Sequence, residues 1–176
     1  ANELGLDISV HADQLSRSGA TALALKYKAR SVDHVVQINK RDIQRLAQSD
    51  TTGVLLPGAD FYLRMAYPPA RQLIDEGARV ALATDFNPGS CPTQNVQLIG
   101  LLARLEMRMT LAEVIVAYTL GGAYALGAGS QLGSLEQGKL SDFMVLGGDW
   151  RQLFYSTQAL PIKEVWSSGR RVRKKS

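Results

Sequence analysis

The stretch VALATDFNPGS, residues 80–90, runs apolar from Val80 to Ala83 and then changes abruptly to Thr84, Asp85, Phe86, Asn87, Pro88 and Gly89. A short apolar run bounded by turn residues reads as a buried strand. Such a strand seldom delivers a carboxylate, because a desolvated charge is costly unless something positive stands beside it. Pro88 then fixes one φ angle, and Gly89 lets the backbone come close to a ligand. The stretch therefore predicts a strand over 79–85 that ends at a functional site.

Working outward, strand and helix patterns alternate. LDISVHA (6–12) reads as a strand, and GATALALKYKAR (19–30) has helical spacing. SVDHVV (31–36) is a second strand and NKRDIQRLAQS (39–49) a second helix. TTGVLLPG (51–58) is a third strand, followed by the helix PPARQLIDEGA (68–78), with Pro near its first turn and Gly near its end. The strand ends fall at His11, His34, Pro57 and Asp85, at intervals of 23, 23 and 28 residues. Strand and helix alternating at that period indicate parallel βαβ units.

Beyond Asp85 the pattern changes. NVQLIGLLARLEM (95–107) and TLAEVIVAYTLGGAYAL (110–126) read as two successive amphipathic helices, the second opened by a Thr110/Glu113 capping box. GSLEQGKLSDFMVLGGDW and IKEVWSSGRRV read as β-structure with turns at Gly138 and Gly169. Four parallel strands could form a small open sheet or half of an eight-stranded barrel. In a barrel, catalytic groups come from the strand C-terminal ends. His11, His34 and Asp85 stand at such ends and include both histidines of the chain. Histidine and aspartate are ligands that suit zinc or iron.

Composition narrows the function classes. Hydrophobic residues make up 45% and charged residues 20% of the 176, a globular balance that can bury one ordinary core. No apolar run approaches the roughly 20 residues that cross a bilayer, and the N-terminus lacks the pattern of a signal peptide. A cytoplasmic location without membrane association is expected. The single cysteine, Cys91, excludes an internal disulfide. The net charge of +4 owes five basic residues to GRRVRKKS (169–176), read as a frayed basic tail rather than a nucleic-acid surface. No aromatic-and-basic stripe supports a nucleic-acid partner.

HADQL (11–15), SVDH (31–34), VLLPGADFYLR (54–64), VALATDFNPGSCPT (80–93) and GSLEQGKLSDFMVL (133–146) together resemble the imidazolonepropionases, a family of metal-dependent amidohydrolases. The resemblance implies the second half of a TIM (β/α)8 barrel, about four parallel βα units over 1–128. Residues 129–176 would follow as the C-terminal β segment of a small composite β-sandwich domain. It also implies hydrolysis of the ring amide of 4-imidazolone-5-propanoate to N-formimidoyl-L-glutamate, a step of histidine degradation. His11 and Asp85 would be metal ligands, and Asp85 would also accept the proton of the attacking water. His34 would polarise the substrate or shuttle a proton. Gln14, Asn87, Gly89 and Ser90 would bind the substrate. Gln14 can hydrogen-bond a ring but cannot act as a general base, which moves that duty to Asp85 and His34. Gly121-Gly122 departs from the Asn-Ala expected there and is read as a matter of helix stability, at roughly 1–2 kcal/mol relative to alanines.

The sequence contains no His-x-His pair of the kind the family places on its first barrel strand. The expectation is therefore a C-terminal half with an incomplete site for one zinc or iron ion, inactive alone. Its partners would be a small-molecule substrate and the N-terminal half of the barrel, with a homodimer as a further option. Two unpaired sheet edges also call for a partner. The alternatives are another amidohydrolase, such as a guanine or nucleobase deaminase, and a half-barrel that associates without catalysis. DFNPGS weighs against the deaminases.

Overall fold

Four short parallel strands carry the site: β1 (Ser9–Ala12), β2 (Ser31–His34), β3 (Thr52–Leu55) and β4 (Val80–Leu82), in the spatial order β1-β2-β3-β4. The computed structural model describes residues 1–174. Helices α1 (Ala20–Lys26) and α2 (Lys40–Ala47) make the first two crossovers, and α3 (Pro57–Leu63) and α4 (Ala70–Asp75) share the third. This is the parallel βα series the sequence predicts.

The strand register separates two rows of side chains. Val10, Val32, Gly53 and Val80 are aligned, as are Ala12 with His34 and Leu55 with Leu82. These positions face the helices; a Cβ on Gly53 would meet Leu46 of α2 at 3.4 Å. The alternate row, His11, Asp33, Val54 and Ala81, lies on the opposite face. His11 on that face is exposed, and Asp33 and Val54 are half-buried. Ile43, Leu46, Leu55 and Leu73 anchor the helix-side core with at most 2% exposure. Each contributes about 1.5–3 kcal/mol by leaving water.

Local chemistry sets the helix starts. Asn39 accepts the Asp42 N–H at 3.1 Å at the head of α2, and Asn95 accepts the N–H groups of Gln97 and Leu98 at the head of α5 (Val96–Leu105). The Thr110/Glu113 capping box opens α6 (Leu111–Val116) with both of its bonds present, at 3.3 and 2.7 Å. Each satisfies donors that a helix start otherwise leaves unpaired.

The structure corrects the sequence reading in three places. Strand β3 ends at Leu55, and Pro57 opens α3 instead of closing a strand. Proline has no N–H for a ladder and a φ already suited to a first helical turn. The helix over 110–126 is interrupted by a π-helical turn, Ala117–Gly121, before α7 (Gly122–Ala125). Gly121 presses on β4 there, and a Cβ would fall 2.1 Å from the Val80 carbonyl oxygen. Its lack of a side chain is thus a packing requirement and not only a cost to the helix. The basic segment expected to fray forms β7 (Arg170–Lys174), paired antiparallel with β6 (Ile162–Ser167). Lys175 and Ser176 lie outside the described residues.

Strands β5 (Phe143–Leu146), β6 and β7 make a three-stranded antiparallel sheet, in which Phe143 stacks on Trp166 at 5.5 Å. Ser168 and Gly169, both at positive φ, form the two-residue turn between β6 and β7. Between β5 and β6 the chain returns to α5. Phe154 is buried against Gly100 and Tyr118, its N–H donates to Gln97 Oε1 at 3.1 Å, and its carbonyl accepts from Arg104 at 3.0 Å.

Candidate functional site

The C-terminal ends of β1, β2 and β4 bring His11, His34 and Asp85 together on one rim. His11 is the third residue of β1 and exposed. His34, the last residue of β2, belongs by register to the helix-side row, yet its ring lies 4.5 Å from that of His11 on the opposite row. The backbone accounts for this. His34 takes φ 72°, and the Val35 N–H donates to the Asp33 carbonyl at 3.1 Å, closing a γ-turn around His34. Val35 also has a positive φ of 47°, a rare state for a β-branched residue. Strain of this sort concentrates at functional sites.

Asp85 follows β4 by three residues and adopts φ 55°. Its Oδ2 lies 4.0 Å from His34 Nε2, with the carboxylate partly open to solvent and the imidazole buried. Burial holds the His34 pKa below the ordinary histidine value, and the neighbouring His11 pushes the same way, while Asp85 opposes them. His34 is therefore neutral at neutral pH, with Nδ1 buried and without a hydrogen-bond partner among the described residues. A neutral imidazole whose Nε2 faces a carboxylate can accept a proton and hold it there.

The loop after Asp85 is built on Asn87. Its Oδ1 accepts the N–H groups of Gly89 and Ser90 at 2.9 and 2.8 Å, and its Nδ2 donates to the Asp85 carbonyl at 2.6 Å and to Ser90 Oγ at 2.9 Å. The Asn87 amide and the Gly89 and Ser90 N–H groups thus bond within the loop. An antiparallel bridge between Asn87 and Cys91 closes it. Gln14 is buried near the start of the loop after β1, next to Asp13.

Sequence reasoning missed two carboxyl groups beside this rim. Asp33 stands next to His11 in the register and accepts from Ser31 Oγ at 2.9 Å; burial raises its pKa, against that hydrogen bond and the His11 charge. Asp60 of α3 is fully buried, and neither of its oxygens has a partner among the described residues. Burial, and then the Asp85 charge, push its pKa up to about 7. No local signal marked Asp60, since Pro57 three positions earlier fits the end of a strand as well as the start of a helix.

His11 and Asp85 are the metal ligands expected on the rim; the His34 ring lies 4.5 Å from the His11 ring, and its Nε2 lies 4.0 Å from Asp85 Oδ2. Among the described residues no group of three His, Cys, Asp or Glu side chains is arranged to hold a metal ion. An exposed imidazole and a partly open carboxylate fit two corners of a zinc or iron site, whose remaining donors would have to come from elsewhere. Among the described residues no helix is long and apolar enough to cross a membrane.

Comparison with known proteins identifies the family and the fold. An imidazolonepropionase of Bdellovibrio bacteriovorus is 56% identical over 98% of this chain, and one of Bacillus thuringiensis is 40% identical over 96%. The chain spans 41% and 40% of their respective lengths. In fold it is similar to an adenosine deaminase from Xanthomonas campestris with bound zinc, with a TM-score of 0.82 at 22% identity, covering 97% of this chain and 46% of that one. It is also similar to the atrazine chlorohydrolase TrzN from Arthrobacter aurescens TC1 complexed with zinc, with a TM-score of 0.76 at 17% identity, covering 99% of this chain and 45% of that one. These neighbours are amidohydrolase TIM barrels. The model of the amidohydrolase family matches residues 8–172, from just before β1 into β7. With a match that takes in both sheets and every residue of the rim, this chain belongs to the amidohydrolase family.

Proposed function

We propose that this chain supplies the C-terminal half of an imidazolonepropionase active site. The reaction would be hydrolysis of 4-imidazolone-5-propanoate to N-formimidoyl-L-glutamate. The observation that carries the reading is the convergence of His11, His34 and Asp85 on one rim, in a chain 56% identical to an imidazolonepropionase. Because the chain spans 41% of that relative's length, the activity is proposed for the chain joined to the remainder of such a barrel.

Hydrolysis adds the oxygen of water to the ring carbonyl carbon, breaks the carbon–nitrogen bond and delivers a proton to the released nitrogen. A zinc or iron ion held by His11, Asp85 and donors from the other half would polarise the carbonyl and make water a better nucleophile at neutral pH. Asp85 is suited to take the proton that water releases. His34, neutral and facing Asp85 Oδ2 through Nε2, is suited to receive that proton and pass it to the leaving nitrogen. The unpartnered His34 Nδ1 leaves a second polar atom at the same place. Gln14 would hydrogen-bond the ring. Ser90 Oγ, which keeps acceptor capacity beyond its bonds to Asn87, would meet the polar edge of the substrate. Gly89 would give close access to the backbone, and Asn87 would act by shaping the loop.

The test is complementation. The chain is mixed with the N-terminal half of the Bdellovibrio relative, and ring opening of imidazolonepropionate is followed with zinc or iron supplied. Activity restored by mixing and abolished by Asp85→Ala is the expected result. A complex that binds metal but ignores this substrate while deaminating guanine would overturn the reading in favour of a deaminase.

A further inference from the structure

We propose that Asp13 is the positioning residue of the rim: its carboxylate pins the loop after β1 so that the His11 and His34 rings are held against each other. Asp13 is 4% exposed and touches neither ring through a hydrogen bond between described residues; it acts through the backbone.

The geometry is a junction of two loops. Asp13 Oδ1 accepts the Ser18 N–H at 2.8 Å, the Ser18 hydroxyl at 2.9 Å and the Gly19 N–H at 3.0 Å, while Oδ2 accepts the Thr21 N–H at 3.2 Å. Four donors on one carboxylate tie the end of the loop and the first turn of α1 back to the residue that follows β1. The main chain of the same loop then receives the loop after β2. The Ala12 carbonyl accepts the Val35 N–H at 3.0 Å, and the Asp13 carbonyl accepts the Gln37 N–H at 2.8 Å.

His34 lies at the centre of this clamp, and its ring orientation depends on it. Its φ of 72° and the φ of 47° at both Val35 and Asp13 are left-handed. Such conformations persist only where surrounding contacts over-determine them. The pairing of β1 with β2 ends at Ala12 and His34, so the last strand residue supplies only the Ala12 carbonyl that holds Val35. The next contact comes from Asp13, whose carbonyl holds Gln37 while its side chain fixes the chain just after Ala12. Released, His34 would relax toward extended backbone, and its side chain would follow the register into the helix-side row, away from His11.

The proposal rests on the reading of His11 and His34 as site residues, but its test needs neither metal nor substrate. The untagged chain has two histidines, so their ring protons are assigned from His11→Gln and His34→Gln. At a centroid separation of 4.5 Å, a ring-to-ring nuclear Overhauser cross-peak is expected in the wild type. It should be lost in Asp13→Ala and restored in Asp13→Asn, whose amide oxygen can still accept from Ser18 and Gly19. Ser18→Ala, a milder change that guards against misfolding of Asp13→Ala, should weaken it. A lowered melting temperature with the cross-peak unchanged in Asp13→Ala or Ser18→Ala would show that Asp13 only stabilises the fold, and would overturn the proposal. Failure of the complementation assay would leave this result standing, and the reverse also holds.

Discussion

The imidazole of His34 and the carboxylate of Asp85 stand 4.0 Å apart, although β2 and β4, which carry them to the rim, are not neighbours in the sheet. Strand β3 lies between them. The γ-turn at His34 and the left-handed backbone at Asp85 bring the two side chains together above the end of β3. Removing the carboxylate in Asp85→Asn should lower the His34 pKa further, whereas His11→Gln should raise it, since those neighbours push in opposite directions. Proton NMR titration of the two histidines reads both shifts. The folded chain binds this proton more weakly than the unfolded chain, whose value is near 6.5. The stability contributed by neutral His34 is therefore present above that pH and lost as pH falls through it toward the lower folded value.

Asp60 should impose the opposite slope. Its folded pKa of about 7 lies above the ordinary 3.8, so the folded chain holds this proton more tightly. Stability from the protonated carboxyl is full below about pH 4 and is lost as pH rises through about 7. Asp60→Asn should flatten that dependence and leave the variant more stable than wild type at pH 8, by up to roughly 4 kcal/mol at about 1.4 kcal/mol per unit. Urea unfolding at pH 5 and pH 8 measures it. Equal slopes in the two proteins would show that Asp60 does not titrate in this range.

The paired glycines at 121 and 122 should behave as opposites. A methyl group at 121 meets the Val80 carbonyl oxygen at 2.1 Å, so Gly121→Ala must push the π turn off β4. A loss of about 1–3 kcal/mol is expected. At 122 a methyl group would come no closer than 3.9 Å, to the Ala117 carbonyl oxygen, and the backbone is helical. Gly122→Ala should therefore gain about 0.4–1 kcal/mol. Thermal denaturation of the two single variants separates them.

Phe154 should govern whether the small sheet and the parallel sheet unfold together. Both tryptophans, Trp150 and Trp166, lie in the C-terminal part, while much of the far-ultraviolet circular dichroism comes from the helices around β1–β4. In the wild type the fluorescence and dichroism transitions should coincide. Phe154→Ala should cost about 3–5 kcal/mol and separate them, because it removes the ring that sits on Gly100 and Tyr118.

What was legible in the sequence was what short-range chemistry decides. Thr110 and Glu113 lie three residues apart and make both bonds of a capping box, so the start of α6 could be read directly. The alternation of strand and helix located all four parallel strands because each strand is bounded by its own turn residues. Pro57 was misread because a proline after an apolar run suits both the end of a strand and the start of a helix. In the structure it opens α3, whose Gly58 packs against Cys91 and Ile99. Asp60 was missed with it. The π turn at Gly121 depends on the distance to β4, and the approach of His34 to Asp85 depends on positive φ angles at non-glycine residues. Neither leaves a mark in local composition.

Asn87 turns both amide donors and its oxygen inward, onto the loop that begins at Asp85. The rim beside the carboxylate is therefore already wound before any molecule arrives. Ordering such a segment at the moment of binding would subtract from affinity, and here folding has done it in advance. The conformational entropy of residues 85–91 is lost once, when the chain folds, and is not lost again when a molecule binds.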